Sequence, residues 1–121
     1  MFGRMRGARR RLVRETNELI ESAERLRKLL QEYKKVSARL VRLVESGEPV
    51  VDAIERIGGP QIRPELTNAI DALEMARHRT RLALFDQAAE DGSSISEMAR
   101  ALGISRQLGS RLAKELEARP K

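Results

Sequence analysis

The chain has 121 residues, with 24 Lys and Arg against 18 Asp and Glu, a net charge of +6, no Cys, no Trp, two Phe and one Tyr. That is one domain's worth of chain, with too few aromatic residues and too little alternation of apolar and polar positions for an all-β fold. Without Cys there is no disulfide, thiolate zinc site or Cys nucleophile, and the single His78 has no evident co-ligands, so neither a metal nor another cofactor is expected.

Ala, Glu, Lys, Leu and Arg supply 67 of the 121 residues, a share associated with long or coiled helices, and the expected class is all-α. The longest stretch without a charged residue is Ile57 to Ile62. A membrane span needs about 20 apolar residues, so no membrane partner is expected.

The N-terminal stretch, residues 1–11, reads as a basic arm. Six Arg and no acid fall within residues 1–14, and Arg4, Arg6, Arg9, Arg10 and Arg11 form a candidate DNA arm. The competing reading is a solvated tail. No apolar block or small-residue cleavage site follows the basic start, which is unlike a secretory signal and leads to an expected cytoplasmic location. Across residues 15–48 the charge balances, across 49–92 it is −3, and across 93–121 it is +3, so both ends are basic and the centre is not. That polarity suits a polyanion held through the termini.

Residues 12–46 are expected to form one long self-association helix. Leu12, Thr16, Leu19, Ala23, Leu26, Leu30, Tyr33, Ser37, Leu40 and Val44 alternate at 4-3 spacing over more than four heptads. The expected dimer seam is Leu12, Leu19, Leu26, Leu30, Tyr33, Leu40 and Val44. Flanking Val13, Ile20, Leu29, Val36, Val41 and Leu43 widen the apolar stripe, so the helix is expected to meet more than one neighbour. A partner chain, giving a homodimer, or a returning helix would cover it.

Residues 47–63 read as a connector: a stop at Ser46-Gly47-Glu48-Pro49, a short helix from about Pro49 to Ile57, then Gly58-Gly59-Pro60 and Pro64 as breakers. A second long helix is expected from Glu65 to about Glu90. Its apolar face is weaker, with Leu66, Ile70, Leu73 and Ala76, then Leu84, Phe85 and Ala88 near its end. It leads into the remainder of a C-terminal unit spanning 64–121.

Residues 94–117 are the most informative. Ser94 with Glu97 three residues on is a capping box, predicting a helix that begins at Ile95 and runs through Met98, Ala99 and Leu102. Gly103 then turns the chain, Ile104 enters the core, and Ser105 caps another helix beginning Arg106, Gln107, Leu108. Two short helices joined by a tight Gly-containing turn form the unit that can place its second helix in the DNA major groove. At 100° per residue, Leu108, Gly109, Leu112 and Leu116 of that second helix fall on one side. Gln107, Ser110, Arg111 and Lys114 fall on the other, with Arg106 on the flank. Arg can bridge guanine O6 and N7, Gln adenine N6 and N7, and Ser or Lys can hold phosphates.

Met98-Ala99, Leu102-Gly103-Ile104-Ser105-Arg106-Gln107 and Leu112 resemble the prokaryotic helix-turn-helix superfamily of DNA-binding regulators. The resemblance covers about 24 residues, or about 40 with the preceding helix as scaffold. It implies that Ala99 packs between the two helices and that Arg106, Gln107, Ser110 and Arg111 face bases or backbone of double-stranded DNA. Ser105 and Lys114 complete the candidate DNA-binding set. Gly109 departs from the pattern, standing where Val, Ile or Ala is usual, at about 1 kcal/mol of helix propensity against Ala. Either it permits closer helix contact or it leaves the helix soft until DNA orders it.

Three functions remain open: a dimeric sequence-specific regulator, an architectural protein coating DNA with little sequence preference, and a helical adaptor that binds protein rather than DNA. An enzyme is not expected, because the sequence has no Gly-rich phosphate loop and no paired acid and base or nucleophile motif. No effector pocket is evident from composition.

Overall fold

The structure is a computed structural model, and it describes residues 7–118 apart from the side chain of Pro60. Those residues form five helices, α1 (Gly7–Glu45), α2 (Val50–Arg56), α3 (Gly59–Glu90), α4 (Ile95–Leu102) and α5 (Arg106–Ala118), with no strand among them. The fold is all-α, as composition requires. Among the described residues, no helix is long and apolar enough to cross a membrane, and no group of three or more His, Asp or Glu could hold a metal ion.

The chain divides into two compact units, residues 1–19 with 75–121, and residues 20–74. In the first, the start of α1 lies against the C-terminal part of α3. Ala8, Glu15, Ala76, Thr80, Ala83 and Gln87 are buried there. The Thr80 hydroxyl donates to the Glu15 carbonyl at 3.1 Å, and Arg79 reaches the buried Glu15 carboxylate at 3.2 Å and Glu18 at 3.6 Å. A carboxylate taken out of water is costly unless a cation is paired with it, and Arg79 supplies that cation.

In the second unit, α3 again supplies the returning helix, here to residues 20–45 of α1. Ser22, Leu26, Leu29, Val36, Leu40 and Leu43 are half-buried along α1, as are Ile62, Leu66 and Leu73 along α3, where Ala69 is buried. Both sets keep the 4-3 spacing of a two-helix seam. The seam on α1 is turned from the expected one: Leu12, Leu19, Leu26 and Leu40 are half-buried within the single chain, whereas Leu30, Tyr33 and Val44 are exposed. Leu29, Val36 and Leu43, one position before Leu30, Ser37 and Val44 of the expected 4-3 line, are half-buried. A second apolar line is therefore left outside, comprising Ile20, Leu30, Val41 and Val44.

α1 ends in a Schellman motif, with Gly47 N–H bonded to the Val44 carbonyl and Glu48 N–H to that of Leu43, and Gly47 at φ +92°. α2 follows with Pro49 as its N-cap, close to the expected bounds. The second long helix differs from expectation, since α3 starts at Gly59 rather than Glu65 and runs through Pro64. Pro is costly deep inside a helix because it deletes a hydrogen bond and crowds the preceding turn. One turn from the start, Pro64 forfeits a single such bond and the helix continues.

Candidate nucleic-acid interface

The C-terminal unit builds its exposed surface from local chemistry. Ser94 accepts from the Glu97 N–H at 3.1 Å while the Glu97 carboxylate accepts from the Ser94 N–H at 2.8 Å, completing the expected capping box at the start of α4. These bonds, the Ser94 N–H first and its side chain second, with the Arg100 charge in support, hold the Glu97 carboxyl below the ordinary glutamate range. A group whose pKa is lowered by folding contributes stability above its unfolded value and loses it as pH falls through the folded one. Glu97 is thus expected to titrate below a free glutamate in carbon-detected NMR, and the protection of its α4 turn to fade in that acid window. Ser94→Ala should remove about 1 kcal/mol and move Glu97 only part of the way back toward the ordinary range, because the backbone N–H at position 94 is kept. An unshifted Glu97 in the wild-type chain would contradict the box.

Gly103 adopts φ +68°, its N–H bonding to the Arg100 carbonyl and the Ile104 N–H to that of Ala99. Only a residue without a Cβ takes this left-handed turn freely. It throws Ile104 back against Leu82, Phe85 and Leu112, with Met98, Leu102, Leu108 and Leu116 packed around them. Ser105 then caps α5, its hydroxyl oxygen accepting from the Leu108 N–H at 3.1 Å.

Gly109 is buried, and a Cβ there would stand 3.2 Å from the Ala99 Cβ, 3.3 Å from Ile95 Cγ2 and 3.5 Å from Phe85 Cζ. Its absence of side chain lets α5 sit close on α4 and α3, which resolves the two readings of Gly109 in favour of closer contact. Ala99, also buried, occupies the space between the helices as the resemblance implied.

With Gly109 and Leu112 buried on one side of α5, the opposite side is outward. Gln107, Ser110, Arg111 and Lys114 line one shallow concavity, Ser110 half-buried and the others exposed, with no acid among them. Arg106 and Ser105 are exposed beside it at the start of the helix. No ion pair involves Arg106, Arg111 or Lys114 among the described residues.

The other expected sites distribute differently. Arg4 and Arg6 lie outside the described residues. Arg9, Arg10 and Arg11 lie in the first turns of α1, where Ala8 is buried; Asp91, just past the end of α3, faces Arg9 at 3.4 Å and Asp86 within α3 faces Arg11 at 3.5 Å. These pairs are exposed and individually weak. Sequence reasoning missed two roles on α3: Arg79 pairs with Glu15 and Glu18, and His78 Nε2 meets Glu115 of α5 at 2.7 Å. Helical spacing alone carries no signal for either, since Glu115 is 37 residues from His78 and Glu15 and Glu18 are 64 and 61 residues from Arg79.

No protein-family model, curated protein or solved structure matches the chain.

Proposed function

We propose that the chain is a sequence-specific double-stranded DNA-binding protein, a homodimeric transcriptional regulator acting in the cytoplasm on the nucleoid, that reads the major groove with α5. The observation carrying this reading is the outward face of α5. Three cations without ion-pair partners among the described residues, and an amide at the helix start, stand on a helix whose other side is packed around Gly109 and Leu112. A helix serving only as core has no use for such a face. A nucleic-acid reader needs cations for phosphates and planar donors and acceptors for base edges.

Fluorescence anisotropy on labelled duplex DNA across a salt series tests it. Binding should weaken with log salt at a slope of about −0.9 per phosphate neutralised, and Arg111→Ala should flatten that slope by about one phosphate. Absence of binding at low salt would leave the adaptor reading.

Self-association is assigned to the second unit. Leu30 and Val41, 47% and 56% exposed, lie with Ile20 and Val44 on the line left uncovered on α1. Large apolar side chains aligned in this way mark an association surface, and burial stabilises each by about 1.5–3 kcal/mol. The double change Leu30→Glu, Val41→Glu is expected to raise the dimer dissociation constant at least about a hundredfold in sedimentation equilibrium. A wild-type chain that sediments as a monomer at the concentrations where it binds DNA would contradict the dimer.

A further inference from the structure

The second unit contains a half-enclosed cavity of about 360 Å³ between α1, Ile57 just after α2, and the first turns of α3. Small-molecule sites begin at about 300 Å³ and combine apolar walls with a few polar groups. Here Val36, Leu40, Ile57, Ile62 and Leu66 supply the apolar lining. Tyr33, Ser37 and Thr67 add hydroxyl-bearing side chains, and Arg63 adds the one charge. No acid lines the cavity, and Arg63 has no ion-pair partner among the described residues. An apolar cleft with an uncompensated guanidinium beside it is complementary to a molecule with an apolar body and a single negative end, because guanidinium matches a carboxylate's two oxygens with paired donors.

We infer that this cavity is a binding site for an amphipathic monocarboxylate, with the chain or ring of the ligand against Val36, Leu40 and Leu66 and its carboxylate on Arg63. The inference goes beyond DNA reading and does not depend on it, since every residue involved lies within residues 20–74.

The test is a titration of the 15N-labelled full chain, without DNA, followed by amide chemical shifts, with decanoate as probe below its micelle concentration and decyltrimethylammonium as the cation of matched length. Decanoate is expected to give saturable shifts centred on residues 33–40 and 57–70, and the cation none that saturate there. Arg63→Gln should weaken decanoate about tenfold, the loss expected for one charge-assisted hydrogen-bonded pair, with the far-UV circular dichroism of the chain unchanged. Equal binding of the two probes, decanoate shifts that do not saturate, or shifts centred on Ile20, Leu30 and Val44 instead of the cavity would each overturn the assignment. The two wild-type titrations decide the matter even if Arg63→Gln does not fold. Because DNA is absent, failure here leaves the DNA reading intact, and failure of DNA binding leaves this site intact.

Discussion

Changing Arg106, Gln107 and Arg111 together to alanine is expected to lower affinity for duplex DNA at least about a hundredfold while leaving helix content and the unfolding midpoint nearly unchanged. The first half follows from what the three side chains offer: a well-formed bidentate base contact contributes about 1–3 kcal/mol of discrimination, and two of the three are cations whose loss also removes counterion release. The second half follows from their position. All three are exposed and make no ion pair among the described residues, so their removal costs the fold little, and alanine raises the helix propensity of the segment. Anisotropy and circular dichroism on the same preparations separate the two effects. A variant that loses DNA binding only because it has unfolded would show it in the second measurement.

Leu82→Ala acts in the opposite way, through the fold. Leu82 is wholly buried, at 0% exposure, in a cluster with Phe85 and Leu112 at 4% and 3%. Truncating such a residue removes its transfer free energy and leaves a cavity, about 2–5 kcal/mol in sum. A chain of this length has a total stability of about 5–15 kcal/mol, so the variant should stand near its unfolding threshold at physiological temperature. Urea denaturation should show the loss, and DNA binding should fall with it, because Leu82 is part of the platform that Ile104, Leu108 and Leu112 rest on. Leu30→Ala is the control: Leu30 is 47% exposed, and its loss should cost the monomeric fold less than about 1 kcal/mol. Equal effects from the two changes would mean that the core does not lie between α3 and α5.

The elements whose determinants are local in sequence were legible. Ser94 and Glu97, Gly103, and Ser105 each act on backbone groups within five residues, and each does in the structure what its residue type predicts. The long seam was legible in period but not in phase. Leu29, Val36 and Leu43 lie one position before Ala23's neighbours on the expected line, Leu30, Ser37 and Val44, and both lines carry enough apolar residues to serve. What selects between them is α3, whose packed side is lined by Ala69, Ala76 and Ala83, seven residues apart. Short side chains leave room for a neighbouring helix to approach but contribute little to hydropathy, so this face looked weaker than it is. The close approach at Gly109 of Phe85, Ile95 and Ala99 brings together three helices, the cavity beside Arg63 brings together α1, α3 and Ile57 after α2, and neither has a sequence pattern of its own.

Where sequence reasoning concerned chemistry rather than fold, the outward set on α5 stands together, and residues 7–11 of the basic N-terminal stretch are part of α1. There Arg9 faces Asp91, just past α3, and Arg11 faces Asp86 within it. The weight of the proposed DNA reading therefore rests on α5.

The most direct test of that weight is selection of binders from a pool of random duplex DNA by the wild-type chain, run in parallel with the Arg106→Ala, Gln107→Ala, Arg111→Ala variant. Convergence of the wild-type pool on one sequence, lost in the variant, is the predicted result and assigns base reading to α5. A wild-type pool that remains random, with binding equal for all duplexes and unchanged in the variant, would contradict it and identify a protein that coats DNA without reading it.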